Sequence, residues 1–177
     1  MKERIRWGVI GSGGIAQRRT IPEGIIAAEH AELAGVYDIN RETNEEVARK
    51  FQTVAFSSVE ELLNSDIDAV YIATPVNRHY GQVISCAERR KHVFCEKPLG
   101  LTTGEAESMI EFCHNQNVLL GVGLMMRFSA QHQEALRVIR EGFLGKPVYA
   151  RAQLSCWYPP MDGAWRQNPD LGGGGSL

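Results

Sequence analysis

The sequence lacks the features that mark secreted and membrane proteins. Its four cysteines, Cys86, Cys95, Cys113 and Cys156, are widely spaced and form no CxxC pair. No segment is apolar enough to span a bilayer, and the first residues lack the apolar stretch of a signal peptide. We therefore expect reduced, mostly buried thiols in a cytoplasmic protein without a membrane partner.

The sequence also has little that would hold a metal or a nucleic acid. Its five histidines form no HxxxH or HExxH pattern and none lies near a cysteine pair, so we expect no metal site. The formal net charge is −2 and no basic run is present, which argues against a nucleic-acid partner. Hydrophobic residues make up 44% of the 177 residues, enough for a folded core in one domain, or in one domain and part of a second.

A glycine-rich turn follows the first predicted strand, 5–10, and leads into a helical pattern. Gly11 allows a sharp turn, Gly13 lets backbone N–H groups approach a pyrophosphate, and Ala16 lets the helix pack closely on the strand. The helix N-terminus would direct its N–H groups and the positive end of its dipole at phosphates. An ordinary tight turn is the alternative. The residues of this turn assigned to cofactor binding are Gly11, Gly13, Gly14 and Ile15.

Asp38 ends the second predicted strand, 32–38, where dinucleotide-binding folds place a carboxylate that holds the adenosine ribose. With the glycine turn, it favours dinucleotide binding over an ordinary turn. An acid here disfavours a 2′-phosphate, so the sequence predicts NAD rather than NADP. Arg41 keeps NADP possible because it could accommodate that phosphate, the alternative being a solvated charge on the next helix.

Strands and helices alternate over the first 122 residues, which predicts a Rossmann-type doubly wound parallel sheet of the α/β class. A first helix at 15–28 contains Pro22, which must kink it or end its first part. Helix caps are predicted at Thr43, at Ser57 or Ser58, and at Thr102. The remaining predicted strands are 54–56, 69–73, 92–95 and 118–122.

The pattern changes after the last of these strands. We predict a dinucleotide-binding domain at 1–122 and the start of an α+β substrate domain at 123–177. In the second part an amphipathic helix is predicted at 131–140, with Leu136 and Ile139 facing inward. A long, partly alternating strand is predicted at 148–157, and a run of four glycines then lies close to the last residue.

Polar residues follow three of the strands, at the carboxyl ends where open α/β sheets bind ligands. Together with the glycine turn they resemble the glucose–fructose oxidoreductase and inositol dehydrogenase family. The matching elements, in the family's order, are Ala73-Thr74-Pro75 with Asn77 and His79, Glu96-Lys97-Pro98, Arg127-Phe128, and Trp165-Arg166 with 172–177.

The resemblance covers nearly the whole chain and implies an NAD(P)-dependent oxidoreductase. Its substrate would be a sugar, a polyol such as a cyclitol, or a related compound, and the full-length form would be a homo-oligomer. The family's glycine-rich segment leads into an Asp-x-Gly-x-His stretch that this sequence does not contain. We therefore expect a C-terminally truncated chain that binds cofactor but lacks part of the catalytic site.

By the same resemblance Lys97 is the catalytic residue. Its ammonium would deliver a proton to the substrate oxygen, or stabilise negative charge there, as the hydride moves. The alternative is a surface lysine paired with a carboxylate. Glu96 is predicted to contact the nicotinamide side of the cofactor or to orient Lys97, with a simple salt bridge as the alternative.

The loop after the 69–73 strand is predicted to bind cofactor. Thr74, Pro75 and Asn77 resemble groups that line the pyrophosphate and the nicotinamide ribose, although a turn and a helix cap would use the same residue types. His79 either faces the cofactor or merely begins the next helix.

Three later residues are also assigned to the cofactor. Arg127 holds cofactor or substrate, or forms an interdomain salt bridge. Trp165 and Arg166 lie in a loop that the family places near the nicotinamide, unless the tryptophan only anchors that loop. Two rival functions use the same glycine turn: a non-catalytic dinucleotide sensor or scaffold, which does not need Lys97, and a methyltransferase, which the Glu-Lys-Pro element disfavours.

Overall fold

The computed structural model describes residues 4–155, 157, 159–161 and 163–173, and six of its strands form one parallel sheet. The strands are β1 (Ile5–Ile10), β2 (Ala31–Tyr37), β3 (Val54–Ala55), β4 (Ala69–Ile72), β5 (His92–Cys95) and β6 (Leu120–Val122). Their order is β3-β2-β1-β4-β5-β6, so the sheet grows in opposite directions from β1 and β4. This order confirms the predicted Rossmann-type sheet.

Helices and helical turns connect the strands. They are a π-helix (Ala16–Ile25), α1 (Arg41–Phe51), α2 (Val59–Asn64), α3 (His79–Glu88), α4 (Thr103–Asn115), α5 (Ala130–Arg140), α6 (Pro169–Gly172) and 3₁₀ turns at Val76–Arg78, Met125–Phe128 and Trp165–Gln167. The cap predicted at Thr102 is confirmed, since its hydroxyl accepts a hydrogen bond from the Glu105 amide at 3.1 Å. Of the two serines, Ser58 caps α2.

The sheet is covered on both faces, because successive residues of β1 belong to different apolar clusters. Val9 packs in one cluster with Val47 of α1, and Ile10 packs in the other with Met109 of α4. All four residues of β4 are buried. A strand covered on both faces has the continuous apolar sequence that is seen here. This packing fixes the carboxyl ends of the parallel strands at one edge of the sheet.

One predicted helix cap is wrong, and one of the two alternatives predicted for Pro22 is excluded. Helix α1 is capped by Asn40, whose side chain accepts a hydrogen bond from the Thr43 amide at 3.0 Å, so Thr43 lies inside the helix. Asn40 is an equally good cap and stands closer to the end of β2. Pro22 does not end the first helix. The wider π winding carries the chain past it, with the Ile26 amide bonded to the Ile21 carbonyl five residues back.

The cysteines that the structure describes are free and buried, as expected for Cys86, Cys95 and Cys113. Burial raises the pKa of the Cys95 thiol to about 12, and the Glu96 carboxylate adds to that rise. The described thiols are therefore protonated and unreactive at neutral pH. Cys156 lies outside the described residues.

The chain forms two compact units. The first extends to Gly123 and resumes at Trp165, and the second is Leu124–Ala164. Among the described residues, no helix is long and apolar enough to cross a membrane.

Two predictions for the second unit are wrong. Leu136 and Ile139 of α5 are 37% and 47% exposed rather than inward-facing, because the described residues of this unit leave that side of the helix open. The strand predicted at 148–157 is not formed, since its described residues pair with no strand. Val148 is 92% exposed. Alternating side chains cannot hold an extended segment whose backbone has no neighbouring strand to pair with.

Candidate functional site

The glycine turn joins the carboxyl ends of three strands. The Gly11 amide donates to the Tyr37 carbonyl at the end of β2, at 2.8 Å. Gly11 has φ +81°, and a Cβ placed on it would lie 2.9 Å from the backbone carbon of Ala73, after β4. Any larger residue would push the turn away from β4, so the turn requires glycine here.

Asp38 stands beside the same turn. Its Oδ2 accepts a hydrogen bond from the Gly13 amide at 3.1 Å, and its Oδ1 accepts one from the Asn40 amide at 2.9 Å. The Gly13 N–H, expected to be open to a pyrophosphate, is therefore occupied by the carboxylate. A carboxylate has about four acceptor positions, so each oxygen of Asp38 keeps capacity for a ribose hydroxyl.

Arg41 follows on α1 with a side chain that is 91% exposed. Its Nε bonds Glu45 one turn later at 2.7 Å. This arrangement favours the interpretation of Arg41 as a solvated charge on the helix.

An open cleft of about 690 Å³ lies between the glycine turn and the loops after β2 and β4. In doubly wound sheets this is the switch point where dinucleotides bind. Its lining includes eight of the predicted site residues: Gly11, Gly13, Gly14, Asp38, Thr74, Pro75, Asn77 and Trp165.

The dinucleotide fit can be tested on two features of this cleft. A Cβ on Gly13 would lie 3.0 Å from the Thr43 methyl, which is tighter than an ordinary contact, so a larger residue here would displace Thr43 or the turn. The Oδ1 atom of Asn77 is buried without a hydrogen-bond partner in a residue that lines the cleft. An orphaned acceptor needs a donor from outside the protein, and ribose hydroxyls and a carboxamide are donors that a nicotinamide dinucleotide carries. The residues present therefore fit this cofactor.

Glu96 and Lys97 follow β5 at the same edge of the sheet. Glu96 Oε1 accepts a hydrogen bond from the Tyr71 hydroxyl at 2.8 Å, and that hydroxyl accepts one from Thr20 at 3.0 Å. Glu96 Oε2 accepts from the Lys97 backbone amide at 3.2 Å. Glu96 thus connects the buried Tyr71 to the backbone of Lys97.

Tyr71 is able to hold Glu96 because it is buried, with 1% of its surface exposed. Burial raises the pKa of the Tyr71 phenol well above its ordinary value, against the hydrogen bond from Thr20, which lowers it, and together with Glu96, which raises it. The phenol is therefore neutral at physiological pH and donates its hydrogen to the carboxylate.

The Lys97 side chain is exposed, and it forms no ion pair or hydrogen bond with any described residue. The alternative of a surface lysine paired with a carboxylate is not what the structure shows. A solvated ammonium at the ligand-binding edge of the sheet is available to an incoming oxygen atom.

Six predicted site residues are not among the described residues that line the cleft. Glu96 and Lys97 follow β5 outside its lining, and the other four lie elsewhere. Ile15 is 37% exposed but does not line the cleft. His79 is buried, with both ring nitrogens facing backbone carbonyls. Arg127 belongs to the second unit, in the Met125–Phe128 turn, where its carbonyl accepts a bond from Gln133. The side chain of Arg166 lies outside what the structure describes, as do residues 174–177.

Sequence reasoning missed several residues that line the cleft. Gln82, in the first turn of α3, accepts a hydrogen bond from the Thr74 hydroxyl at 2.6 Å. Ile39 directly follows Asp38 and is 88% exposed in the cleft wall, so its position was readable from the sequence. Leu171 comes from α6, far along the chain, and no local sequence pattern predicts its place in the cleft.

Comparison with known proteins agrees with this geometry. Residues 5–124 match the family described as "Oxidoreductase family, NAD-binding Rossmann fold". A 1,5-anhydro-D-fructose reductase from Ensifer adhaerens is 34% identical over 96% of this chain and 51% of its own length. A scyllo-inositol 2-dehydrogenase (NAD(+)) from Bacillus subtilis (strain 168) is 33% identical over 84% of this chain and 44% of its own length.

A solved structure is similar in fold. It is a 3-ketoreductase from Actinomadura kijaniata in complex with NADP and TDP-benzene, 26% identical, with a TM-score of 0.82 over 96% of this chain and 52% of that chain. The present chain spans about half the length of the curated relatives it matches.

Proposed function

Because this chain belongs to the glucose–fructose oxidoreductase and inositol dehydrogenase family, whose NAD-binding domain is a Rossmann fold, we propose that it binds a nicotinamide dinucleotide and takes part in hydride transfer. The proposed substrate is a sugar, cyclitol or related compound with a hydroxyl or carbonyl carbon. The names of the two curated relatives support this class. Membership of this family also argues against the alternative function, a methyltransferase.

The observation that carries the proposal is the cleft between Gly11, Asp38 and Asn77. The turn requires glycine by contact, the carboxylate retains acceptor capacity, and the Asn77 oxygen lacks a donor. A ligand that brings hydroxyl and carboxamide donors satisfies these groups at once. The proposed cofactor is NAD, and NADP is the alternative to be tested.

Lys97 is the proposed catalytic residue. When bound, the nicotinamide supplies or accepts the hydride. In the reduction direction the Lys97 ammonium donates a hydrogen bond to the substrate oxygen and delivers the accompanying proton, and in the oxidation direction the neutral Lys97 amine accepts that proton. Glu96 holds the Lys97 backbone amide and so fixes where the side chain leaves the loop.

The division into a dinucleotide-binding domain at 1–122 and the start of a substrate domain at 123–177 is part of the proposal. The cytoplasmic location and the homo-oligomer also stay predictions.

A fluorescence titration with NADH tests the binding step. We expect saturable binding to the wild-type chain, and at least tenfold weaker binding after Asp38→Ala, because the ribose would lose its charged acceptor. Glu45→Ala on the exposed side of α1 is the control and should bind as wild type does. A parallel titration with NADPH decides the cofactor: tighter binding of NADPH would overturn the preference for NAD. No saturable binding of either dinucleotide would overturn the proposed function.

Lysine acetylation read by mass spectrometry tests the position of Lys97. We expect saturating NADH to slow acetylation of Lys97 several-fold and to leave Lys50, on α1, unchanged. Equal rates at Lys97 with and without NADH would contradict its place beside the cofactor. In an assay with a panel of polyols, any turnover should disappear in Lys97→Ala with NADH binding retained. Turnover by the wild type that is lost in Lys97→Ala would exclude a non-catalytic sensor.

A further inference from the structure

His79 is the first residue of α3, and its side chain is 1% exposed. Its Nδ1 lies 2.9 Å from the Pro98 carbonyl oxygen, and its Nε2 lies 2.9 Å from the Thr74 carbonyl oxygen. The two carbonyls belong to different loops, one after β4 and one after β5. A single buried ring therefore spans the two loops.

Both partners of this ring are acceptors, so each bond needs a hydrogen on the ring nitrogen that makes it. A ring with hydrogens on both nitrogens holds both carbonyls, and a neutral ring donates to only one. A backbone carbonyl buried without a donor is unfavourable. The ring therefore donates to one of these two carbonyls in its neutral form, and to both when both nitrogens carry hydrogens.

The loop that presents Lys97 is held at three places. Glu96 at its start is bonded to Tyr71, and the Leu101 amide at its far end donates to Glu105 at 2.7 Å. Between these two points, the Pro98 carbonyl is held by His79. Lys97 lies directly between the bond from Tyr71 and the bond from His79. Removing the ring would leave the middle of this loop without its side-chain support.

We propose that His79 is a positioning residue that couples the cofactor cleft to the Lys97 loop. Thr74 lines the cleft and Pro98 adjoins Lys97, so a ligand that fixes the Thr74 loop also restrains the lysine through the ring. His79 itself does not line the cleft. The coupling rests on the proposed function, whereas the link between the two loops does not.

Hydrogen exchange measured by mass spectrometry tests the link. In the free protein, His79→Gln should speed exchange in both 74–78 and 96–101 by about tenfold, since up to two hydrogen bonds are lost. In the wild type, NADH should protect both segments. In His79→Gln it should protect 74–78 as in the wild type, and 96–101 less than in the wild type, because only direct contact with the cofactor then protects that segment.

His92→Gln is the matched control. His92 likewise bonds the backbone, but its Nδ1 is the acceptor, from the Leu119 amide at 3.0 Å, and it lies at the amino end of β5. Its loss should speed exchange near Leu119 and leave both loops unchanged. Faster exchange in only one loop of His79→Gln, or in both loops of His92→Gln, would overturn the proposal.

Two further outcomes remain decisive. If the wild type binds no NADH, the proposed function fails, and the free-protein comparison still decides the link between the loops. If His79→Gln does not fold, exchange of the wild type in low denaturant decides instead. Linked loops open with one shared free energy, and clearly different values for 74–78 and 96–101 would overturn the link.

Discussion

Helices α4 and α5 share the same sequence features but have different surroundings. Each begins with a hydroxyl cap, Thr102 for α4 and Ser129 for α5, and each carries apolar residues at helical spacing. Helix α4 buries Met109 and Cys113 completely against the sheet. Helix α5, in the second unit, buries none of its residues, all of which the structure describes.

This difference distinguishes the sequence features that define a helix from the packing that stabilises it. Caps and periodicity define where both helices begin and which side is apolar. Most helical stability in proteins comes from packing that apolar side. The first unit provides a sheet for this purpose, so equal changes should have large effects there and small effects in the second unit.

We expect the largest difference in stability between alanine substitutions at two glycines, one in each unit. Gly11 and Gly142 have φ +81° and +77°, so alanine is strained at both. At Gly11 the new Cβ would also lie 2.9 Å from the Ala73 backbone, whereas nothing lies within 4 Å at Gly142. Adding strain to overpacking, we expect Gly11→Ala to lower the free energy of unfolding by about 4 kcal/mol and to abolish NADH binding. Gly142→Ala should strain the second unit by about 1 kcal/mol and leave the unfolding midpoint of the sheet unchanged.

Urea unfolding followed by circular dichroism measures both variants. If Gly142→Ala destabilised the chain as much as Gly11→Ala, backbone strain alone would explain the effect. The close contact between the glycine turn and β4 would then have no special part in stability.

Two truncations compare the apolar faces directly. Met109→Ala removes a fully buried side chain and should lower the free energy of unfolding by about 3 kcal/mol, through lost transfer energy and a cavity. Ile139→Ala on α5 removes a side chain that is 47% exposed and should change it by less than about 0.5 kcal/mol. Chemical denaturation of the two variants under one condition gives the comparison. A loss above about 1 kcal/mol for Ile139→Ala would mean that its apolar side is covered in solution.

Two tyrosines extend the comparison to hydrogen bonding. Tyr71→Phe removes the hydroxyl that joins Thr20 to Glu96 and leaves the Glu96 oxygen unpaired, which should cost about 1–2 kcal/mol. It should also loosen the Lys97 loop, seen as faster exchange of the Lys97 amide. Tyr149 is 82% exposed in the second unit, so Tyr149→Phe should be neutral. Equal stability of the two variants would show that the Tyr71 bond to Glu96 is replaced by water.

Much of the first unit could be predicted because its signals are local. The apolar run of β4 and the glycine turn at Gly11 each lie within a few residues of the feature they determine. The position of Asp38 follows from the length of one βαβ unit. The cap at Asn40 was missed because Asn40 and Thr43 both suit a cap, and only the end of β2 decides between them.

The rest depends on contacts that no local pattern contains. Tyr71 appears only as an apolar strand residue until the fold brings Thr20 and Glu96 to its hydroxyl. His79 was assigned to the cofactor, yet the structure encloses its ring between two carbonyls. The alternation at 148–157 is a genuine strand pattern, but a strand also needs a neighbour.

The two helix caps provide the smallest and most selective test. Thr102→Ala removes the acceptor for the Glu105 amide and should lower the free energy of unfolding by about 1 kcal/mol. Ser129→Ala removes the equivalent acceptor for the His132 amide. Because α5 buries nothing in the described structure, this loss should appear as faster hydrogen exchange within α5, with the unfolding midpoint of the sheet unchanged. A lower midpoint in Ser129→Ala would show that α5 unfolds together with the sheet, and the contrast between the two helices would then hold only for their burial.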